Sequence, residues 1–138
     1  MERITVKNTV KSSASKVWEL WSDPKHIVKW NTASEDWHTP RAENDLRVGG
    51  KFLSRMEAKD GSFGFDFEGV YDEVVPQKRI AYTMGDGRKV EVDFNGHNGQ
   101  TEIVSTFDAE NQNSIEMQRA GWQAILDNFK SYTENIDK

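Results

Sequence analysis

Residues 49–108 read GGKFLSRMEAKDGSFGFDFEGVYDEVVPQKRIAYTMGDGRKVEVDFNGHNGQTEIVSTFD, and this stretch decides the fold. Apolar and polar residues alternate along it in short runs, which is typical of strands with one covered face. Three dipeptides separate the runs: Asp60-Gly61, Asp86-Gly87 and Asn95-Gly96. They favour two-residue hairpin turns, because both central residues of such a turn take positive φ. The stretch therefore predicts a meander of antiparallel strands with one apolar face.

Two short helices are predicted before this meander. A first strand alternates over residues 2–10, and Ser12-Ser13 then offers a helix N-cap. Asp23-Pro24 ends that helix and begins the next, because Pro fits the first turn of a helix but not its interior. Over residues 31–50 the periodicity dissolves into polar and turn residues, so we expect a long loop there.

A long helix is predicted after the meander, over residues 114–136. Asn113 followed by Glu116 resembles a capping box, and apolar residues then recur at helical spacing as far as Ile136. Gly121 interrupts this helix, and close contact with the sheet is the preferred explanation, with a helix bend as the alternative. The chain is thus expected to form one α+β domain over residues 1–138. Its curved antiparallel sheet of six to seven strands would carry the long helix across the concave face.

A curved sheet cannot pack at full density along a straight helix, so an apolar cavity between them is plausible. The candidate ligand-binding residues are the inward-facing side chains Phe52, Ser54, Met56, Phe65, Phe67, Tyr71, Tyr82, Met84, Phe94 and Trp122. Aromatic rings and methionines suit an irregular apolar ligand, and the phenols and Ser54 offer hydrogen bonds that orient it. The alternative is a dense core with no cavity.

Composition excludes several classes of function. The chain has 138 residues, a formal net charge of −5 and no cysteine, and no stretch approaches the length of a membrane span. Acids and bases are interleaved, so the positive footprint that nucleic-acid binding needs is missing. The first ten residues also lack the apolar run of a signal peptide. We expect a cytoplasmic, monomeric protein.

No catalytic residue, metal site or cofactor is predicted. His26, Glu35, Asp36 and His38 do not have the spacing of helical metal ligands, and we interpret them as solvated loop residues. His97 lies in a predicted turn. Asp66 and Glu68 alternate with phenylalanines and therefore belong on the outer face of the sheet, as partners for Arg55 rather than as an acid–base pair.

Several short motifs, in order along nearly the whole chain, resemble one known family. They are Ala14, Val17-Trp18, Trp21, Asp23-Pro24, Trp30, Asp36-Trp37, the run DLRVGGKF over residues 45–52, Arg55-Met56, Asp60-Gly61, GVYDEV over residues 69–74, Pro76, Arg79-Ile80, Gly121-Trp122 and LDNF over residues 126–129. Together they resemble the helix-grip superfamily of START-like and birch-pollen-allergen-like proteins (SRPBCC). Within it they are similar to small bacterial proteins of the activator of Hsp90 ATPase homologue family.

This resemblance implies a helix-grip fold and two kinds of partner. One is a small hydrophobic molecule, aromatic or lipid-like, bound in the cavity without catalysis. The other is a chaperone, bound by an interaction module. A third implied alternative is a cofactor-free cyclase-like or hydrolase-like enzyme. An exposed apolar patch outside the cavity would favour the interaction module, whereas an Arg, His or acid inside the cavity would favour the enzyme.

Overall fold

The computed structural model describes residues 2–136 and has the expected order of elements. In chain order these are β1 Arg3–Val10, α1 Ala14–Ser22, α2 Pro24–Trp30, β2 Trp37–Asn44, β3 Lys51–Ala58, β4 Gly64–Val75, β5 Arg79–Met84, β6 Lys89–His97, β7 Gln100–Asp108 and α3 Ile115–Asn135. Over residues 2–136, seven strands form one antiparallel sheet in the order β1-β7-β6-β5-β4-β3-β2. The sheet curls into a half-barrel around α3, which confirms the predicted helix-grip fold.

The two short helices begin and end where the sequence predicts. The Ser13 hydroxyl accepts a hydrogen bond from the backbone N–H of Lys16 and so caps α1. Asp23 ends α1 and also caps α2, because its carboxylate accepts a hydrogen bond of 2.9 Å from the Lys25 N–H. Pro24 occupies the first turn of α2, where its missing N–H costs nothing.

The long loop expected over residues 31–50 is wrong, because β2 lies within it. This strand pairs with β3 at the edge of the sheet, and its register shifts between His38 and Arg41. Pro40 falls in the shifted segment. An edge strand tolerates both a proline and a bulge, since one side of it carries no ladder hydrogen bonds. Because of the proline and the register shift, the sequence of β2 lacks the alternation of apolar and polar residues that indicates a strand.

The β6–β7 turn is also placed differently from the prediction. His97 pairs with Gln100, so the two-residue turn is Asn98-Gly99, with φ of 51° and 78°. Gly96, expected in the turn, instead pairs with Thr101 inside the hairpin. Two consecutive Asn-Gly dipeptides compete for this turn, and the strand pairing decides between them.

At the other two turns only the glycine takes positive φ, 79° at Gly61 and 94° at Gly87. The connections are longer than two residues. The carboxylate of Asp60 accepts a hydrogen bond from the Ser62 N–H, and that of Asp86 accepts one from the Arg88 N–H. These side-chain bonds satisfy the backbone in a longer loop, as Asp commonly does in turns.

Helix α3 is capped by Ser114 rather than by the expected Asn113. The Ser114 hydroxyl accepts a hydrogen bond of 3.1 Å from the Met117 N–H. Near the middle of the helix the Trp122 ring stacks on Phe107 of β7, with ring centroids 3.9 Å apart.

One end of the space between α3 and the sheet is filled by aromatic rings. Phe129 is fully buried, and its ring centroid lies 4.9 Å from those of both Trp21 and Trp30. These contacts join α1, α2 and α3 into one dense core. The opposite end, nearer the start of α3, is less completely filled.

Candidate ligand-binding cavity

A cavity of about 370 Å³ lies between α3 and the concave face of the sheet. This volume falls within the range typical of small-molecule sites. Most of the predicted ligand-binding residues line it: Phe52, Ser54, Met56, Phe65, Phe67, Tyr71, Tyr82 and Trp122. The alternation of inward- and outward-facing residues that the sequence predicts therefore brings these side chains together around one space.

Met84 and Phe94 lie outside the cavity wall, although both are buried. The Phe94 ring packs edge-on against Trp18 and Trp21, at centroid separations of 5.5 and 5.6 Å. The alternation along a strand predicts that a side chain lies on the covered face of the sheet. It does not predict whether a helix or a cavity lies opposite that side chain. For Phe94 the opposite surface is α1.

The wall of the cavity is built around the Phe52 ring. Its centroid lies 4.7 Å from that of Tyr82, 5.4 Å from Tyr71 and 5.7 Å from Phe67. Gly69 pairs with Phe52 and makes this arrangement possible. A Cβ at Gly69 would lie 2.8 Å from a carbon of the Phe52 ring, so a side chain there would displace the ring.

Two asparagines provide polar partners that the sequence analysis did not identify. The Tyr71 hydroxyl donates a hydrogen bond of 2.6 Å to Asn44 Oδ1, and Asn44 Nδ2 donates to the Ser22 carbonyl. Asn31 Nδ2 donates to Ser54 Oγ at 3.2 Å. Both asparagines belong to the segment expected to be a loop, where no periodicity indicated which side chains face inward.

Two further hydroxyls face the cavity without a partner. Tyr82 and Ser105 are 8% and 5% exposed, both line the cavity, and neither hydroxyl has a hydrogen bond within residues 2–136. Burial raises the pKa of Tyr82, and burial also raises the pKa of Tyr71 although its bond to Asn44 opposes the shift. Both phenols therefore stay protonated at neutral pH.

Gly121 lines the cavity, and the expected close contact with the sheet is wrong. A Cβ placed there meets no atom within 4 Å apart from its own helix backbone and chain neighbours. The helix stands away from the sheet at this point, and the missing side chain adds to the open volume.

The charged residues of the lining lie at its rim. The Glu43 side chain is 66% exposed, and Arg88 Nε donates a hydrogen bond of 2.7 Å to Asp86 Oδ2. Glu110 is half-buried and accepts hydrogen bonds from the backbone N–H groups of Gln112 and Asn113. No Asp, Glu, His, Lys or Arg among the described lining residues is buried.

The histidines do not converge on a common point. His26 Nδ1 shares a hydrogen bond of 2.7 Å with the Tyr132 hydroxyl, and His38 Nε2 lies 3.8 Å from a Glu57 oxygen. Over residues 2–136 no group of three or more His, Cys, Asp or Glu is placed to hold a metal ion. No helix in that range has the length and apolarity to cross a bilayer.

An aromatic cluster lies on the surface beside the cavity and consists of Trp37, Phe63 and Phe65. The Trp37 ring centroid lies 6.1 Å from that of Phe63 and 5.9 Å from that of Phe65. Phe63 is 62% exposed, and Phe65, predicted to face inward, is 42% exposed although it borders the cavity.

Comparison with known proteins supports the fold. The AHSA1-like protein from Aeromonas hydrophila, solved by NMR, is 45% identical over 99% of this chain and 94% of its own, with a TM-score of 0.92. The protein Chr148 from Cytophaga hutchinsonii is 54% identical over 97% of this chain and 93% of its own, with a TM-score of 0.84. The Aha1 dimer from Colwellia psychrerythraea is 15% identical over 98% of both chains, with a TM-score of 0.75, and shares the fold.

The family comparison gives the same result. No curated protein matches the chain. The model of the family described as "Activator of Hsp90 ATPase homolog 1-like protein" matches residues 11–134, which span the helices, the meander and nearly all of α3. The chain therefore belongs to this family of activator of Hsp90 ATPase homolog 1-like proteins.

Proposed function

We propose that this protein binds a small, largely apolar molecule, aromatic or lipid-like, in the cavity between α3 and the sheet. The observation that carries the proposal is the open volume of about 370 Å³ beside Gly121, within a wall of aromatic rings. Binding is non-covalent, because the lining has no enclosed acid, base or metal site among the described residues. The protein would act as a carrier or sensor of this ligand.

Burial of apolar surface is the driving force. A ligand that buries about 300 Å² of apolar surface gains roughly 7 kcal/mol at ~25 cal/mol per Å². The loss of translational and rotational freedom costs at least about 4 kcal/mol, so burial alone gives a simple aromatic compound an affinity of about the millimolar range, and hydrogen bonds in the cavity add to it. The aromatic wall is already assembled without a ligand, which limits the cost of ordering side chains.

Gly121→Leu tests this proposal, with Gly121→Ala as the matched control. The leucine side chain would project into the open volume, whereas alanine adds one methyl group that meets nothing within 4 Å. We expect Gly121→Ala to bind the neutral fluorescent probe N-phenylnaphthylamine as the wild type does, and to be more stable by about 1 kcal/mol. Gly121→Leu should stay folded and lose probe affinity at least tenfold.

Two outcomes would contradict the proposal. If the wild type binds neither this probe nor any molecule that native mass spectrometry detects after purification, the cavity is not a binding site. If Gly121→Leu binds the probe as tightly as Gly121→Ala, the probe occupies another surface. Thermal unfolding of each variant shows whether it has folded.

The aromatic surface cluster favours a second candidate function, an interaction module for a chaperone. Phe63 is the most exposed ring of the cluster, and an exposed aromatic group of this kind is typical of protein interfaces. Close to the cluster in the chain lie three exposed acids, Glu35, Asp36 and Asp60, together with the exposed Lys59. The complementary partner would present an apolar side chain flanked by Lys or Arg residues.

Phe63→Ser tests this second candidate, with Val48→Ser as the control. Both side chains are more than 60% exposed, so neither change should affect folding much. Binding to purified Hsp90 and stimulation of its ATPase are measured for each variant. The candidate predicts that Phe63→Ser weakens binding about tenfold and that added salt weakens the wild type. If the wild type does not bind the chaperone, the candidate is wrong.

A further inference from the structure

We infer that the ligand of this cavity is electrically neutral and carries two oxygen groups, one for the hydroxyl of Tyr82 and one for that of Ser105. This inference rests on the proposed function, because it specifies the chemistry of the molecule that the cavity would bind. It depends on three features: an unpartnered phenol, an unpartnered serine and the charges of the rim.

The Tyr82 side chain is 8% exposed and lines the cavity, and its hydroxyl has no hydrogen-bond partner among the described residues. Its ring is held by Phe52 and Tyr71, with centroids at 4.7 and 6.2 Å, so the side chain cannot easily turn toward solvent. Tyr71 directly opposite differs, because its hydroxyl donates to Asn44. The buried side-chain atoms without a partner among the described residues are Asn8 Oδ1 and Thr133 Oγ1, so the Tyr82 hydroxyl is accessible and can pair with water or a ligand oxygen.

Ser105 is the second unpartnered hydroxyl and lies in an apolar part of the sheet. Its cross-strand neighbours Val6 and Val92 are 3% and 1% exposed, and the sheet needs no hydroxyl at this position. Serine offers both a donor and an acceptor, as does a phenol. A hydroxyl or a carbonyl on the ligand can therefore pair with either residue.

The sheet register sets the distance between the two groups. Tyr82 pairs with Val90, whereas Ser105 pairs with Val92, so the two residues occupy adjacent inward-facing rows. They lie on β5 and β7, which are separated by β6. Two strand spacings and one row correspond to about 12 Å between the Cα atoms. Because the tyrosine side chain covers part of this distance, a compound of two fused rings with oxygens at opposite ends can reach both hydroxyls.

The charges at the rim disfavour an ionised ligand. Glu43 and Glu110 are negative, and the single positive lining residue among those described, Arg88, is already paired with Asp86. Burial opposes ionisation of Asp86, but hydrogen bonds from Arg88 still lower its pKa, so this pair is intact at neutral pH. A ligand carboxylate would lose its hydration without gaining a free cation. The described carboxylates of the lining, those of Glu43 and Glu110, are not buried, so a ligand cation would lose its hydration without an enclosed counter-ion.

Three ring-matched probes test the inference by calorimetry: a naphthalene with hydroxyls at opposite ends, its dimethyl analogue and its dicarboxylate. We expect Tyr82→Phe and Ser105→Ala each to weaken binding of the dihydroxy probe by roughly three- to tenfold. Neither change should weaken binding of the dimethyl probe. The dicarboxylate should bind most weakly to the wild type.

A stability measurement separates a ligand-binding role from a structural one. Tyr82→Phe should leave the urea midpoint unchanged or raise it, because the lost hydroxyl has no partner. Tyr71→Phe is the contrasting control and should lower the midpoint, since it leaves Asn44 Oδ1 without its donor.

Three results would overturn the inference. Unchanged affinity of the dihydroxy probe in both variants would overturn it, and loss of the same binding in Gly121→Leu would then leave the proposed function intact. Tighter binding of the dicarboxylate would show that the ligand is not neutral. Failure of all three probes to bind the wild type would overturn the inference, and it would overturn the proposed function as well only if N-phenylnaphthylamine and co-purified molecules also failed to bind.

Discussion

At the scale of single residues, Phe67 and Phe107 show that inward-facing aromatics of this sheet have two different roles. Phe107 is fully buried and stacks on Trp122 at 3.9 Å. Phe67 is half-buried, lines the cavity and meets the same tryptophan edge-on at 6.1 Å. The alternation of the sequence is the same for both, but their packing is not.

Truncation of these two residues should therefore have different costs. Phe107→Ala leaves a void in a dense region and should lower the free energy of unfolding by about 3–5 kcal/mol. Phe67→Ala enlarges a space that is already open, so its cost should be smaller and its main effect a change in affinity for apolar probes. Urea unfolding and probe titration measure the two effects. Equal losses of stability would indicate that Phe67 is packed as densely as Phe107.

At the scale of elements, the turn between β6 and β7 is set by pairing rather than by the first turn-like dipeptide. Asn98 and Gly99 both take positive φ, whereas Asn95 and Gly96 belong to the hairpin strands. Asn and Gly are the residues that tolerate such a backbone, because their side chains collide least with it.

Substitution at the turn tests this placement. Gly99→Ala should lower the free energy of unfolding by about 1 kcal/mol or more, because a Cβ is strained at φ 78°. Asn95→Thr is the control and should be neutral or slightly stabilising, since Thr favours strands. Chemical denaturation measures both. The turn would lie at the earlier dipeptide if Asn95→Thr were the more damaging change.

The C-terminal part of α3 is attached to the first strand through Glu134. Its carboxylate accepts hydrogen bonds of 2.6 Å from Lys130 Nζ and 2.8 Å from the Lys11 N–H, and Lys130 also donates to the Thr9 carbonyl. The bond from Lys130, followed by that from Lys11, lowers the pKa of Glu134 below its ordinary value of 4.5.

This attachment should make stability depend on pH in the acid range. Because the pKa of Glu134 is lower in the folded state, its contribution is present above pH 4.5 and is lost as the pH falls through the lowered value. Glu134→Gln should thus be less stable than the wild type at pH 7, and the difference should shrink below pH 4.5. The urea unfolding midpoints of the wild type and of Glu134→Gln, compared from about pH 3 to about pH 7, provide the measurement. A difference that stays constant across the range would argue against this role.

At the scale of the whole molecule, the pairing of β1 with β7 completes the sheet and makes β1 one of its two edge strands. Arg3 pairs with Asp108 and Val10 with Thr101, which joins the two ends of the sheet-forming chain. Helix α3 lies against β1, and the aromatic contacts of Phe129 with Trp21 and Trp30 fill one end of the space between α3 and the sheet. Packing alone accounts for the cohesion of the described residues, without a disulfide.

We predict that no metal contributes to this stability. Dialysis against a strong chelator should leave the melting temperature unchanged, because His26 and His38 have separate partners and the chain has no cysteine. Differential scanning calorimetry before and after dialysis is the measurement. A decrease of several degrees, restored by one divalent metal, would contradict the prediction.

The sequence by itself determined the features that depend on neighbouring residues. Alternation predicted the strands of the meander, and the caps at Ser13 and Asp23 predicted where two helices begin, because these signals act within a few residues. Local signals failed where they were ambiguous or absent. The bulged edge strand β2 lacked alternation, and two Asn-Gly dipeptides competed for one turn.

Only the tertiary structure decided what lies opposite each inward-facing side chain. Phe94 meets α1 and Phe67 meets open space, although both follow the same strand pattern. Gly121 borders the cavity rather than touching the sheet, and Ser105 is left without a partner. These outcomes depend on the distance between a curved sheet and a straight helix far apart in the chain. No short-range pattern encodes that distance, because it results from the packing of all the elements together.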